Sequence, residues 1–222
     1  MIPATAKIDT QPTHFCDLEH PAIRRQAAAL ANQAATPEDL ARRTFRFVRD
    51  QIPFGFDLVQ VQASETLAKG YGACFNKSLL LVALLRANGI PARFGSVPVS
   101  RWFMQPYLGW LFRLINHPFH HCLVQVWLDG AWSLAEPTLD QATYDALFRP
   151  LGVPWGIEWS AARQDRLYGE HLMGEVTIHP DLDQAIGDDV GNSLLPDSLA
   201  RALCRYVNRR AWGRIGLELS PA

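Results

Sequence analysis

The chain of 222 residues is long enough for one sizeable domain or at most two small ones, and 48% hydrophobic with 19% charged residues is the make-up of an ordinary globule. A formal net charge of −1 leaves no electrostatic footprint for nucleic acid, and no run of like charges suits an anionic membrane surface. The four cysteines, Cys16, Cys74, Cys122 and Cys204, lie far apart without a CxxC pair, which fits free thiols better than a disulfide framework.

The N-terminal stretch "MIPATAKIDTQPTHFCDLEHPAIRR" has no apolar run after a basic start, so no cleaved signal peptide is expected and the protein is expected to be cytoplasmic. Two helices are predicted next, one from Pro21 to about Asn32 and one opened by "TPEDL", with Thr36 as N-cap, Pro37 at N1 and acids in the first turn. Ser64 is the predicted cap of a short helix that ends at Gly70 and delivers the chain through Tyr71, Gly72 and Ala73 into Cys74. From Cys74 to Asn88 the residues are apolar on nearly every side, which predicts a helix buried at the centre and stopped by Gly89.

"IPARFGSVPV" then predicts a strand. The most apolar stretch after it, Trp102 to Ile115, is broken by Pro106 and carries Arg113, so no membrane span is expected. "VQVWLDGAWSLAEPT" predicts a hairpin about Asp129-Gly130, and the remainder is helical or irregular up to a helix near Asp197 to Arg210. The fold class is α+β with an antiparallel sheet. No repeat, low-complexity segment or linker marks a boundary, so residues 1–222 are expected to form one domain. Its motif-bearing core runs over about 64–138, with a helical scaffold over 20–51 and a helical or irregular extension over 140–222.

A cysteine at a helix start sees unpaired N–H groups and the positive end of the dipole, which favour thiolate. The hairpin supplies partners for it. A two-residue Asp-Gly turn sets Leu128 opposite Ala131, Val126 opposite Ser133 and Thr138 opposite His121. Glu136 then lies diagonal to His121 on the same face, roughly 7–8 Å away between backbones, a gap that long side chains bridge. His120 belongs to the other face with Cys122 and Val124. Thiol, imidazole and carboxylate are the parts of a cysteine nucleophile with its base and orienting acid. Local register does not bring Cys74 to His121.

"GYGACFNKSLLLVALLRANGIPARF" followed by "HCLVQVWLDGAWSLAEPT" resembles the transglutaminase-like superfamily, whose pattern is a G-x-C helix start, an R-A-x-G-I-P-A-R segment, H-x-W-x-E-V and D-P-T. The resemblance implies a papain-like core in which the nucleophile-bearing helix packs on the sheet, with Cys74 as nucleophile, His121 as base and Glu136 in the place usually held by aspartate. Leu123 and Gln125 stand where the pattern has tryptophan and glutamate. Asp140 is a fallback for the orienting carboxylate.

An oxyanion hole needs the Cys74 N–H and one side-chain donor, for which Gln60, Gln62 and Tyr71 compete. Trp102, Phe103, Tyr107 and Trp110 either wall the substrate cleft or pack as an added helix on the core. "HPFHHC" holds His117, His120, His121 and Cys122, but its spacing is poor for zinc, so neither metal nor cofactor is expected. Arg86 and Arg93 are expected to serve the helix end and the strand junction. The expected activity is a cysteine-dependent hydrolase acting on an amide, peptide or related acyl bond through a thioester. An acyltransferase using an amine, and a catalytically silent peptide- or partner-binding module, are the alternatives. The expected partner is a peptide, protein or small amide substrate; the oligomeric state is not written in the sequence.

Overall fold

The computed structural model describes residues 8–153, 159, 171–179, 183, 185 and 196–217. Helix α1 spans Pro21–Ala31 and α2 spans Pro37–Gln51. The Thr36 side chain accepts from Asp39 N at 3.1 Å and Pro37 takes the first helical position, as its ready-made φ suits. The two helices bury Ile23, Ala27, Leu30, Ala41, Phe45 and Val48 in one cluster.

Helix α3, Ala63–Lys69, ends at Gly70, which is left-handed with φ 70°. Its start corrects the predicted cap: Gln62 precedes the helix and Ser64 lies inside it. The Ser64 N–H donates instead to Asp17 Oδ1 at 3.0 Å. A carboxylate brought in by tertiary folding therefore serves the helix start in place of the local hydroxyl.

Helix α4 spans Cys74–Ala87, and every residue from Phe75 to Arg86 is buried. It needs no amphipathic face because helices α1, α2 and α3 pack on it from one side and the sheet from the other. Each fully buried leucine here, such as Leu80 or Leu84, stabilises the fold by roughly 1.5–3 kcal/mol. At the far end Arg86 donates to the carbonyls of Ala92 at 2.9 Å and Gln11 at 2.8 Å. Arg93 pairs with Asp9 at 2.9 Å and lies 4.1 Å over the Trp132 ring.

The sheet contains β1 (Ala92–Val99), β2 (Phe119–Leu128), β3 (Ala131–Ala135) and β4 (Thr177–His179) in the order β3-β2-β1-β4, antiparallel at each pairing. The hairpin register is the predicted one, with Leu128 facing Ala131 and Val126 facing Ser133. Asp129 at φ 50° and Gly130 at φ 85° make the tight turn. Three-residue β4 was not predicted; it is too short to show a period of two and exists through pairing with Phe94, Gly95 and Ser96.

Phe94, Cys122, Val124 and Val126 belong to the cluster around α4, whereas Val97, Val99 and Leu123 belong to a second cluster with Phe103, Tyr107 and Phe148. That second layer comes from three short pieces after β1: a 3-10 turn Arg101–Met104, α5 (Gln105–Leu108) and a 3-10 segment Gly109–Leu114. After β3 come α6 (Gln141–Thr143) and a π-helical turn Tyr144–Phe148. Helix α7 covers Asp197–Ile215, longer than predicted, and docks through Asn208, which accepts from Phe56 N at 2.7 Å, and Trp212, which donates to Phe54 O at 3.0 Å. Among the described residues no helix is long and apolar enough to cross a membrane.

Candidate active site

The site begins at the turn into α4. Gly72 N donates to Pro53 O at 3.2 Å, and Gly55 N donates to Gly72 O at 3.1 Å, tying the turn to the preceding loop. A Cβ on Gly72 would come within 2.8 Å of Asn76 Cβ, so this glycine is required by close approach. Asn76 Oδ1 accepts from Ala73 N at 3.0 Å while its Nδ2 donates to Leu58 O at 2.9 Å, which pins the first turn of α4. Ala73 at the N-cap offers no side-chain acceptor, so first-turn N–H groups keep their positive potential beside partly exposed Cys74.

His121, in β2, is buried, and its Nε2 lies 3.3 Å from Glu136 Oε1 and 3.5 Å from Thr138 Oγ1. Glu136 follows directly on the last residue of β3, so the diagonal placement carries just past the ladder. His120, one residue earlier, is exposed.

The Cys74 thiol is held well below its ordinary value. The largest cause is a hydrogen bond from the Cys122 side chain; burial opposes it, and the charge and hydrogen bond of His121 reinforce it. Burial alone would lower His121, but the Cys74 thiolate outweighs it by charge and hydrogen bond, and Glu136 adds to this, so the imidazole is pushed up to about 9. Cys122 moves well above an ordinary thiol, through burial and through donating to the Cys74 sulfur. Both directions favour a thiolate–imidazolium pair, with Glu136 beside the ring and a second thiol beside the sulfur.

A cavity of about 200 Å³ opens on Cys74, His121 and Thr138, walled by Phe54, Phe56, Phe103, Tyr107, Phe119 and Phe148. Phe103 and Tyr107 line it, whereas Trp102 and Trp110 are half or more exposed and do not. Gln60, Gln62 and Tyr71 are also outside its lining. Gln60 is exposed, Gln62 donates to His14 O at 2.9 Å, and Tyr71 packs edge-on against Trp212 at 5.3 Å. Asp140 accepts from Thr143 N, Thr143 Oγ1 and Phe54 N at 2.8–2.9 Å, so its carboxylate holds the back of the cavity together. His117 is exposed, and among the described residues no group of three His, Cys, Asp or Glu stands close enough to hold a metal ion.

Sequence reasoning missed Cys122 and Asn76. The signal for Asn76 was its place at the third helical position, from which a side chain reaches back to the N-cap N–H. For Cys122 the signal was only that it shares the β2 face with Val124; the packing of α4 on that face brings it to Cys74.

Residues 24–137, just over half of the chain, match the family profile described as transglutaminase-like superfamily. Among solved structures the chain is similar to a candidate cysteine protease from Cytophaga hutchinsonii, at 17% identity and TM-score 0.50, over 80% of this chain and 54% of that one. It is also similar to the arylamine N-acetyltransferase of Mycobacterium abscessus, at 14% identity and TM-score 0.41, over 58% of this chain and 46% of that one. Red sea bream transglutaminase matches at 11% identity and TM-score 0.42, over 96% of this chain and 43% of that one. The chain spans about half the length of these proteins, and at 17% identity the first shows a shared fold and nothing of its chemistry. No curated protein matches it in sequence.

Proposed function

Because the chain belongs to the transglutaminase-like superfamily, we propose that it is a cysteine-dependent hydrolase of amide or related acyl bonds. Cys74 acts as nucleophile, His121 as proton carrier and Glu136 as the acid that orients it. The observation that carries this reading is the thiol of a helix N-terminus facing an imidazole whose Nε2 is 3.3 Å from a carboxylate. Glu136 occupies Nε2, which leaves Nδ1 to exchange the proton with sulfur.

The Cys74 thiolate adds to the acyl carbon, and the oxyanion that forms is met by the N–H of Cys74 at the start of α4. His121 then gives its proton to the departing nitrogen as the C–N bond breaks, leaving a thioester on Cys74. Water, deprotonated by His121, splits the thioester and restores the thiolate. Glu136 stabilises the imidazolium in the steps where it carries the proton. Cys122 donates its S–H to the resting thiolate, lowering its basicity between turnovers.

The test is labelling by iodoacetamide at neutral pH, read by peptide mass spectrometry. Cys74 should react much faster than Cys16, Cys122 and Cys204, and an acylating ester should add one acyl group at Cys74 that water removes. Labelling of Cys74 no faster than of the other three cysteines overturns the reading.

A further inference from the structure

The cavity at Cys74 shares part of its wall with a second space. Phe56 and Ile115 line it, and the same two side chains line a second space of about 220 Å³ that opens at the surface. This groove runs between Leu108, Leu111 and Leu114 on one side and Leu203, Tyr206 and Val207 of α7 on the other. Among the described residues no charged side chain lines it, and the polar groups there are the Cys204 thiol and the Tyr206 hydroxyl. In the inner cavity the Asp57 carboxylate is neutralised by Lys69, with Arg201 at 4.0 Å. Leu114 and Leu203 are 74% and 50% exposed, a contiguous apolar strip in water that folding alone does not require.

We propose that the acyl group taken up by Cys74 is an unbranched aliphatic chain longer than the inner cavity, its far end lying in the groove between residues 108–115 and α7. The substrate is then a small N-acyl amide. The inference rests on Cys74 being an acyl-accepting nucleophile and adds the shape and polarity of the acyl group. A charged or strongly polar acyl group would lose its hydration in the groove, whose described lining offers it no charged partner. A short acyl group would leave the groove unused. An aliphatic chain passes over Phe56 and Ile115 from one space to the other and transfers apolar area from water along its whole length.

The experiment uses N-acyl 4-nitroanilides with acetyl, hexanoyl and dodecanoyl groups. In each, the sulfur–carbon bond forms as the C–N bond breaks, His121 supplies the proton to 4-nitroaniline, and water releases the carboxylate. kcat/KM should rise by about fourfold for each methylene that leaves water, and Leu203→Asp and Leu114→Asp should each lower the dodecanoyl value at least about tenfold more than the acetyl value. Both residues are exposed, so unchanged thermal unfolding shows that the fold survives. Equal kcat/KM across the series, or equal loss on acetyl and dodecanoyl substrates, overturns the inference. Binding of N-dodecanoyl and N-acetyl glycinamide to Cys74→Ala, read by calorimetry, is independent of turnover. Tighter binding of the long chain upholds the groove even if the intact enzyme proves inactive, an outcome that removes only the hydrolase reading. Equal binding of the two overturns the groove.

Discussion

Alanine at Gly72 should damage both stability and the thiol, through one clash. The new Cβ would lie 2.8 Å from Asn76 Cβ and 3.2 Å from Thr66 Cγ2. A Cβ is fixed by its backbone, so Asn76 cannot rotate out of the way; either the turn 70–74 or the first turn of α4 must shift. Gly72 is not among the residues with positive φ, so the cost is overpacking and not backbone strain, about 1–3 kcal/mol. For a chain of this size that is a fall in Tm of roughly 2–12 °C. The shift moves Ala73, whose N–H is held by Asn76, and with it Cys74 relative to His121. Gly70→Ala is the matched control: at φ 70° with no atom of the described residues within 4 Å of the new Cβ, it carries only left-handed strain of about 1–2 kcal/mol. Thermal unfolding and the rate of iodoacetamide labelling at Cys74 should be measured for both variants. Gly72→Ala should lose Tm and labelling rate together, and Gly70→Ala should lose Tm alone. A Gly72→Ala protein with the wild-type Tm and labelling rate refutes the packing explanation of the turn.

Cys74→Ala should fold as the wild type and show no turnover, since alanine is at home in a helix start and the sulfur is the proposed nucleophile; circular dichroism and product release check both halves. His121→Ala should lower single-turnover acylation more than Glu136→Gln does, because the imidazole transfers the proton and the carboxylate only orients and stabilises it. The labelling rate of Cys74 should persist well below the pH of an ordinary thiol and fall only as the lowered thiol is protonated, while His121→Ala should move that limb upward. Since His121 is raised from 6.5 to about 9, its charge stabilises the fold fully below about pH 6.5, and this is lost as pH rises through about 9; urea unfolding of wild type and His121→Ala across that window reads the difference. Gly130→Val, at φ 85°, should cost about 1–2 kcal/mol in turn strain and reduce activity by disturbing the register that brings Glu136 to His121, visible as lost cross-strand contacts in NMR.

Much of this protein is decided locally, and what is local was legible. A two-residue Asp-Gly turn admits one register, and period two then assigns His121 and Glu136 to one face before any tertiary contact is known. Thr36, Pro37 and Gly70 act within a turn of chain, so their places were readable, and an apolar run without a polar face announces a helix covered on all sides. Packing decided the rest. The cap of α3 is Asp17, 47 residues upstream, and β4 exists only as a partner of β1. Gln62 and Tyr71 precede Cys74 in sequence as oxyanion donors should, yet the Gln62 amide donates to His14 O, the Tyr71 ring packs on Trp212, and neither lines the cavity. Phe103 and Tyr107 turn into the cavity while Trp102 and Trp110 turn out, because short helical turns, unlike a strand, have no fixed alternation to read. The thiol pair of Cys74 and Cys122 depends on how α4 lies across β2, since a helix and a strand distant in the chain meet only when their apolar faces are buried together, and no periodicity within either one encodes that angle.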